Sequence, residues 1–129
     1  MHNEDVAHRD IKLENILIEN HTKKVKIIDF GFCCSSKEKL KIFCGTPSYM
    51  SPEIVSKREY YGAPADIWAC GVLLYVLLLG TFPFKSSFEK DLFRKIQRGI
   101  FSYSTNISEE AKDLIKSILV TDPFKRPSA

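Results

Sequence analysis

Two short runs of β-prone residues come early in the chain, "NILI" (Asn15 to Ile18) and "KVKIID" (Lys24 to Asp29). The polar stretch "ENHTKK" lies between them, so the pattern predicts a hairpin. From Phe30 to Tyr49 the periodicity fails, and Gly31, Gly45 and Pro47 punctuate a long loop. Loops of this length inside compact domains usually carry function or are disordered. After Pro52 the pattern becomes helical, with a short helix opening at "SPEIVS" and Pro52 in its first turn. The most apolar segment, "IWACGVLLYVLLLG" (Ile67 to Gly80), predicts a helix buried on all sides with Asp66 as its cap. In "SFEKDLFRKIQRG", Phe88, Leu92, Phe93 and Ile96 share one predicted face and Gly99 ends the helix. A last helix starts at Ser108, with Ala111, Leu114, Ile115, Ile118 and Leu119 as its apolar stripe and Pro123 beyond it.

Composition adds bounds rather than direction. The chain has 129 residues, the size of one domain, with 44% hydrophobic and 27% charged residues. A net charge of +3 with scattered lysines gives no case for nucleic acid, and Lys37, Lys39 and Lys41 read as a solvated loop. Cys33, Cys34, Cys44 and Cys70 lack paired spacing, so a zinc site is not expected, and the adjacent pair reads as small apolar residues of a reduced interior. The apolar run at Ile67 is shorter than the roughly 20 residues a bilayer crossing needs, and it is assigned to the core, with no membrane partner expected. The polar opening "MHNEDVAHRD" has no secretory pattern, and a cytoplasmic setting, with the nucleus as the other option, is the expectation.

The chemistry concentrates in "HRDIKLEN" (His8 to Asn15) and the following "DFG" (Asp29 to Gly31). Phosphoryl transfer asks a protein for positioning and for neutralisation of phosphate charge. Asp10 can sit by an attacking hydroxyl, and Lys12, two residues on, can steady the transferring phosphate. Asn15 and Asp29 offer one carbonyl and one carboxylate oxygen, the hard donors that magnesium accepts. With equal residue usage, H-R-D-x-K-x-x-N arises by chance roughly once in three million windows, whereas DFG alone is weak. His8 is expected to support the loop rather than act as a base, and Glu14 could equally receive a substrate arginine or face solvent.

These motifs, together with "CGTPSYMSPE", "DIWACGVLLYVLLLGTFPF" and "DPFKRPS", resemble the C-terminal lobe of a eukaryotic serine/threonine protein kinase across nearly the whole chain. The run "FPFKSSFEKDLFRKIQRG" is similar to the calmodulin-dependent and AMP-activated groups. The resemblance implies a protein-kinase-like fold. Its C-terminal lobe would be mainly α-helical, with a short β-hairpin carrying the catalytic and metal-binding loops. Residues 1–129 would then form a partial kinase domain that transfers the γ-phosphate of ATP, with Mg2+, to serine or threonine of protein substrates. It makes Asp10 the residue that orients the hydroxyl and accepts its proton, puts Lys12 on the γ-phosphate, and gives Asn15 and Asp29 to magnesium. It further implies Thr46 beside Asp10 and Lys12, Glu53 paired with Arg126, and Asp66 bracing the catalytic loop from the buried helix.

Two departures qualify the resemblance. The glycine-rich loop and strand lysine that precede HRD in kinases have no counterpart here, so the N-terminal β-rich lobe is expected to be absent and residues 1–129 alone to be nearly inactive. "MHNEDVA" resembles the middle of a kinase helix-to-loop junction more than a natural start, and the chain also ends early, at "RPSA". The position two residues before Cys44, where such kinases carry the activating threonine gripped by the arginine of HRD, is Ile42. Activation through that threonine is therefore not expected. A non-catalytic half-kinase that binds partners is the alternative, and a small-molecule phosphotransferase is a more remote one, because Lys12 and "GTPSYMSPE" resemble a peptide platform. Oligomeric state is left open.

Overall fold

A computed structural model describes residues 1–129. Three two-stranded antiparallel pairings and four helices follow one another along the chain. Strand β1 (Val6–Ala7) pairs with β4 (Cys34–Ser35), β2 (Ile16–Ile18) with β3 (Val25–Ile27), and β5 (Lys39–Leu40) with β6 (Tyr60–Tyr61). Helices α1 (Pro52–Val55), α2 (Gly62–Leu79), α3 (Glu89–Arg98) and α4 (Glu109–Ile118) complete the order.

The hairpin forms where the two β-prone runs and the polar stretch between them predict it, with Ile16 opposite Ile27 and Ile18 opposite Val25. It lies at the surface, and much of its apolar face is uncovered: Ile18 and Val25 are each 63% exposed, and Leu13, Leu17, Phe30 and Phe32 are exposed around them. The segment from Phe30 to Tyr49 is not a free loop. Ser36 N–H donates to Asp5 O, β4 docks on β1, and β5 docks on β6, so each half is tied to a distant strand.

Helix α2 is the axis of the core. Trp68 and Val72 are fully buried and Tyr75 nearly so; Trp68 stacks on Phe84 at 5.7 Å, and the Tyr75 hydroxyl donates to Ser102 O. Phe101 and Tyr103 pack edge-on and stacked against this group. The helix begins at Gly62, four residues before the expected cap, with no side-chain cap of its own. A Cβ on Gly62 would lie 2.4 Å from the Ala7 Cβ, so glycine permits α2 to start against β1. Burial is also one-sided, since Cys70, Leu77 and Leu78 are exposed.

Two predicted helical stripes narrow in the same way. Leu92 and Ile96 of α3 and Ile115 of α4, with Leu119 at its C-terminal end, enter the core; Phe88 precedes α3 and is 72% exposed, and Leu114 faces outward. Helix α3 ends on Gly99 at φ 63°, and Ser108 Oγ caps α4 by accepting from Ala111 N–H. A bidentate ion pair ties α1 to the C-terminal segment: Arg126 Nη1 and Nη2 donate to Glu53 Oε1 and Oε2 at 2.7 and 2.8 Å, both side chains buried. Arg126 also donates to Pro64 O and Val120 O and lies over the Trp68 ring at 5.0 Å. Removing one partner of so buried a pair costs about 3–5 kcal/mol.

Candidate active site

The loop from His8 to Asn15 joins β1 to β2, strands of two separate pairings, and it is fixed from beneath by α2. Asp66, one turn into that helix, accepts from His8 N–H through Oδ2 and from Arg9 N–H through Oδ1, both at 2.7 Å. Its carboxylate therefore caps this loop and not its own helix, as the resemblance implies and as the helix-cap reading did not. The His2 ring nitrogen Nε2 lies 2.9 Å from the same Oδ2. These bonds hold Arg9 at φ 68°, a left-handed conformation that costs a non-glycine residue energy, and so turn the chain toward Asp10.

His8 is fully buried and its tautomer follows from its partners. The Asp10 amide can only donate, so Nδ1 accepts from it at 3.3 Å and Nε2–H donates to Ile28 O at 3.0 Å. The ring is a neutral peg between the loop and the residue preceding Asp29.

Asp10 is buried beneath three donors. Lys12 Nζ is 2.7 Å from Oδ2, Thr46 Oγ1 donates to Oδ1 at 3.0 Å, and Asn15 Nδ2 donates to Oδ2 at 3.3 Å. Burial pushes this carboxyl up, but the donors from Lys12, Thr46 and Asn15 outweigh it and hold it below the usual carboxylate range. Lys12 is held above the ordinary lysine value, chiefly by Asp10, and also donates to Thr46 Oγ1 at 3.1 Å. Asn15 Nδ2 is committed to Asp10 O at 2.8 Å as well, which leaves its carbonyl oxygen as the end available to a ligand.

Asp29 stands apart from this cluster. It is exposed, at φ 64°, and its Oδ1 accepts from Gly31 N–H at 3.3 Å. Its tie to the loop is through the neighbouring Ile28, whose N–H donates to Asn15 O at 3.0 Å and whose carbonyl accepts from His8. Asp10, Lys12 and Asn15 thus come together with Thr46, while Asp29 borders them without a side-chain contact. The donors left free, the Asn15 carbonyl and the Asp29 carboxylate, are both hard oxygens, a set that fits magnesium rather than a softer metal.

Residue reading missed several supports. Tyr49 accepts from Leu13 N–H at 3.3 Å through its hydroxyl, and Arg9 Nη2 donates to Cys44 Sγ at 2.7 Å. Ile42 presents only its carbonyl, to the Tyr60 hydroxyl at 3.0 Å. These contacts span 18 to 36 residues of sequence and leave no local signal. Glu14 is exposed and makes no ion pair.

A family model described as a protein kinase domain matches residues 1–129. Among curated proteins, the chain is 45% identical over 127 residues to a probable serine/threonine-protein kinase, HSL1, of Saccharomyces cerevisiae, covering 97% of this chain and 8% of that protein. It is 43% identical over 127 residues to the serine/threonine protein kinase OSK3 of Oryza sativa subsp. indica, covering 97% of this chain and 25% of that protein. It is also 43% identical over 132 residues to the CBL-interacting serine/threonine-protein kinase 5 of Arabidopsis thaliana, covering 98% of this chain and 29% of that protein. The chain spans less than a third of the length of each of these relatives.

Proposed function

The chain belongs to the protein kinase family, and from that premise we propose that it carries the catalytic and magnesium-binding loops of an ATP-dependent serine/threonine kinase. The observation that carries this is the convergence of Lys12, Thr46 and Asn15 on the carboxylate of Asp10. The names of the relatives, all serine/threonine kinases, favour a protein hydroxyl as acceptor over a small molecule. In this reading the chain is the helical lobe of the kinase. The exposed apolar residues of the β2–β3 hairpin form the face on which a second lobe and the nucleotide base would rest.

Asp10 is ionised at neutral pH, because its three donors hold its acidity up. A carboxylate so weakly basic works first by accepting the hydrogen bond of the substrate hydroxyl and aiming its oxygen, and takes the proton late, as the hydroxyl becomes bonded to phosphorus. Thr46 and Asn15 fix which lone pairs of Asp10 remain for that hydroxyl. Lys12 keeps its charge beside the same carboxylate, where it neutralises oxygens of the transferring phosphate. The Asn15 carbonyl and the Asp29 carboxylate would hold magnesium, which when bound supplies charge neutralisation on the ATP phosphates. A non-catalytic interaction module is the second reading, favoured by the breadth of the exposed apolar face.

Transfer of labelled γ-phosphate from ATP to serine- and threonine-containing peptides, by the protein that carries this chain, separates the two. Magnesium-dependent transfer that falls at least about 100-fold in Asp10→Asn is the expected result. Transfer that survives Asp10→Asn, or none under any divalent metal, would overturn the catalytic reading.

A further inference from the structure

Three segments far apart in sequence converge on an open cleft of about 440 Å³ that shares no residue with the Asp10 cluster. Lys41 and Phe43 come from the segment leading into Cys44, Lys57 from the exit of α1, and Glu89, Lys90 and Phe93 from the start of α3. Phe43 and Phe93 meet edge-on with ring centroids 5.9 Å apart, which still leaves Phe43 43% exposed. This exposure does not come from a slack backbone. Tyr60 holds Ile42 O, Lys41 pairs with Glu59 at 3.0 Å, and Arg9 holds Cys44 Sγ, so the chain is anchored on both sides of the ring.

Charge gives the cleft a sign. Lys57 places its ammonium 6.0 Å from the Phe43 ring centroid, and neither Lys57 nor Lys90 is in an ion pair. Lys41 is spent on Glu59, and Glu89 is the one unpaired carboxylate lining the cleft. Two free cations therefore face one free anion. Lys57 sits at φ 54° because it closes α1: its N–H donates to Ile54 O and the N–H of Arg58 to Glu53 O, the left-handed ending in which glycine is the commonest residue.

The cleft is also within reach of the acceptor site. Phe43 is three residues before Thr46, the residue bonded to Asp10. That separation is at most about 10 Å, the span of three extended peptide units. Resting on the phosphoryl-transfer reading above, we propose that this cleft docks an acidic flank of the protein substrate, three to five residues from the acceptor hydroxyl. One aliphatic side chain of the flank lies against Phe43 and Phe93, its carboxylates meet Lys57 and Lys90, and Glu89 turns them away from its end of the cleft.

The test is binding without nucleotide, read as fluorescence anisotropy of a labelled serine peptide with a Leu-Asp-Glu flank against the same peptide with a Leu-Lys-Lys flank. The acidic peptide should bind at least about tenfold more tightly, lose about tenfold in Lys57→Gly and in Lys90→Ala, and weaken with salt, while Glu89→Lys tightens it. Lys57→Gly relieves the backbone, so its loss of binding cannot be laid to unfolding. Equal binding of the two peptides, or acidic binding unchanged in both lysine variants, would overturn the proposal. No phosphate moves in this experiment. Selective binding without kinase activity would therefore sustain the docking cleft and sink the catalytic reading, and transfer without selectivity would do the reverse.

Discussion

Asp10 shows how a buried carboxylate is kept charged. Its desolvation alone would raise its pKa, and the ammonium of Lys12, the hydroxyl of Thr46 and the amide of Asn15 reverse the sign. A folded-state pKa below the unfolded one means that Asp10 stabilises the fold fully above the unfolded value near 3.9, and that this contribution is lost as pH falls through the lower folded value. Urea unfolding of the wild type and of Asp10→Asn from pH 6 to pH 3 should show the stability gap closing below about pH 4. The exposed carboxylates with depressed values, Glu59, Glu109 and Glu110, are common to both proteins and cancel. Parallel curves would mean that the three donors do not favour the charged form. At this scale the sequence was informative where partners are close in number. Asp10, Lys12 and Asn15 lie within six residues, so their offsets alone predict that they meet. For Asp66 the local pattern predicts only a cap for its own helix, and the resemblance alone places it on the loop, because its partners, the amides of His8 and Arg9, are more than fifty residues away.

Among elements, α2 and α4 cross in close contact. A Cβ on Gly71 would lie 2.4 Å from Ile118 Cγ2 and 2.9 Å from Leu119 Cδ2. Glycine to alanine inside a helix ordinarily stabilises by about 0.5–1 kcal/mol. Here the crowding wins, because overpacking a closed contact costs about 1–3 kcal/mol. Gly71→Ala is expected to lower the denaturation midpoint, and adding Ile118→Ala to recover less than its own cavity loses. A Gly71→Ala variant more stable than the wild type would show that the helices can separate. Helices α3 and α4 are legible because each has a stripe of three or more apolar positions at helical spacing, α2 because its run is apolar nearly throughout, and the four-residue α1 through Pro52 in its first turn. Strands β4 and β5 were not: two residues each give no period, and both exist only because β1 and β6 offer them a partner. Helix α2 misled in another way. An apolar run reads as buried all round, while Leu77 and Leu78 in fact face outward.

For the molecule as a whole, the site is an assembly of pieces that share one foundation. Asp66 in α2 fixes the loop, His8 ties the loop to Ile28, and Asn15 O ties Ile28 back to the loop, so Asp29 is positioned by the same frame that positions Asp10. The ion pair of Glu53 and Arg126 anchors the segment following Thr46 to the far end of the chain. The central claim is that this frame makes Asn15 and Asp29 one metal–phosphate site. The most direct test is paramagnetic broadening of backbone amide resonances by Mn2+ with ATP. The account predicts loss of signal confined to residues 10–15 and 29–31, abolished by Asp29→Ala. Broadening centred elsewhere, for instance on the acidic start of α4, or unchanged in Asp29→Ala, would contradict it.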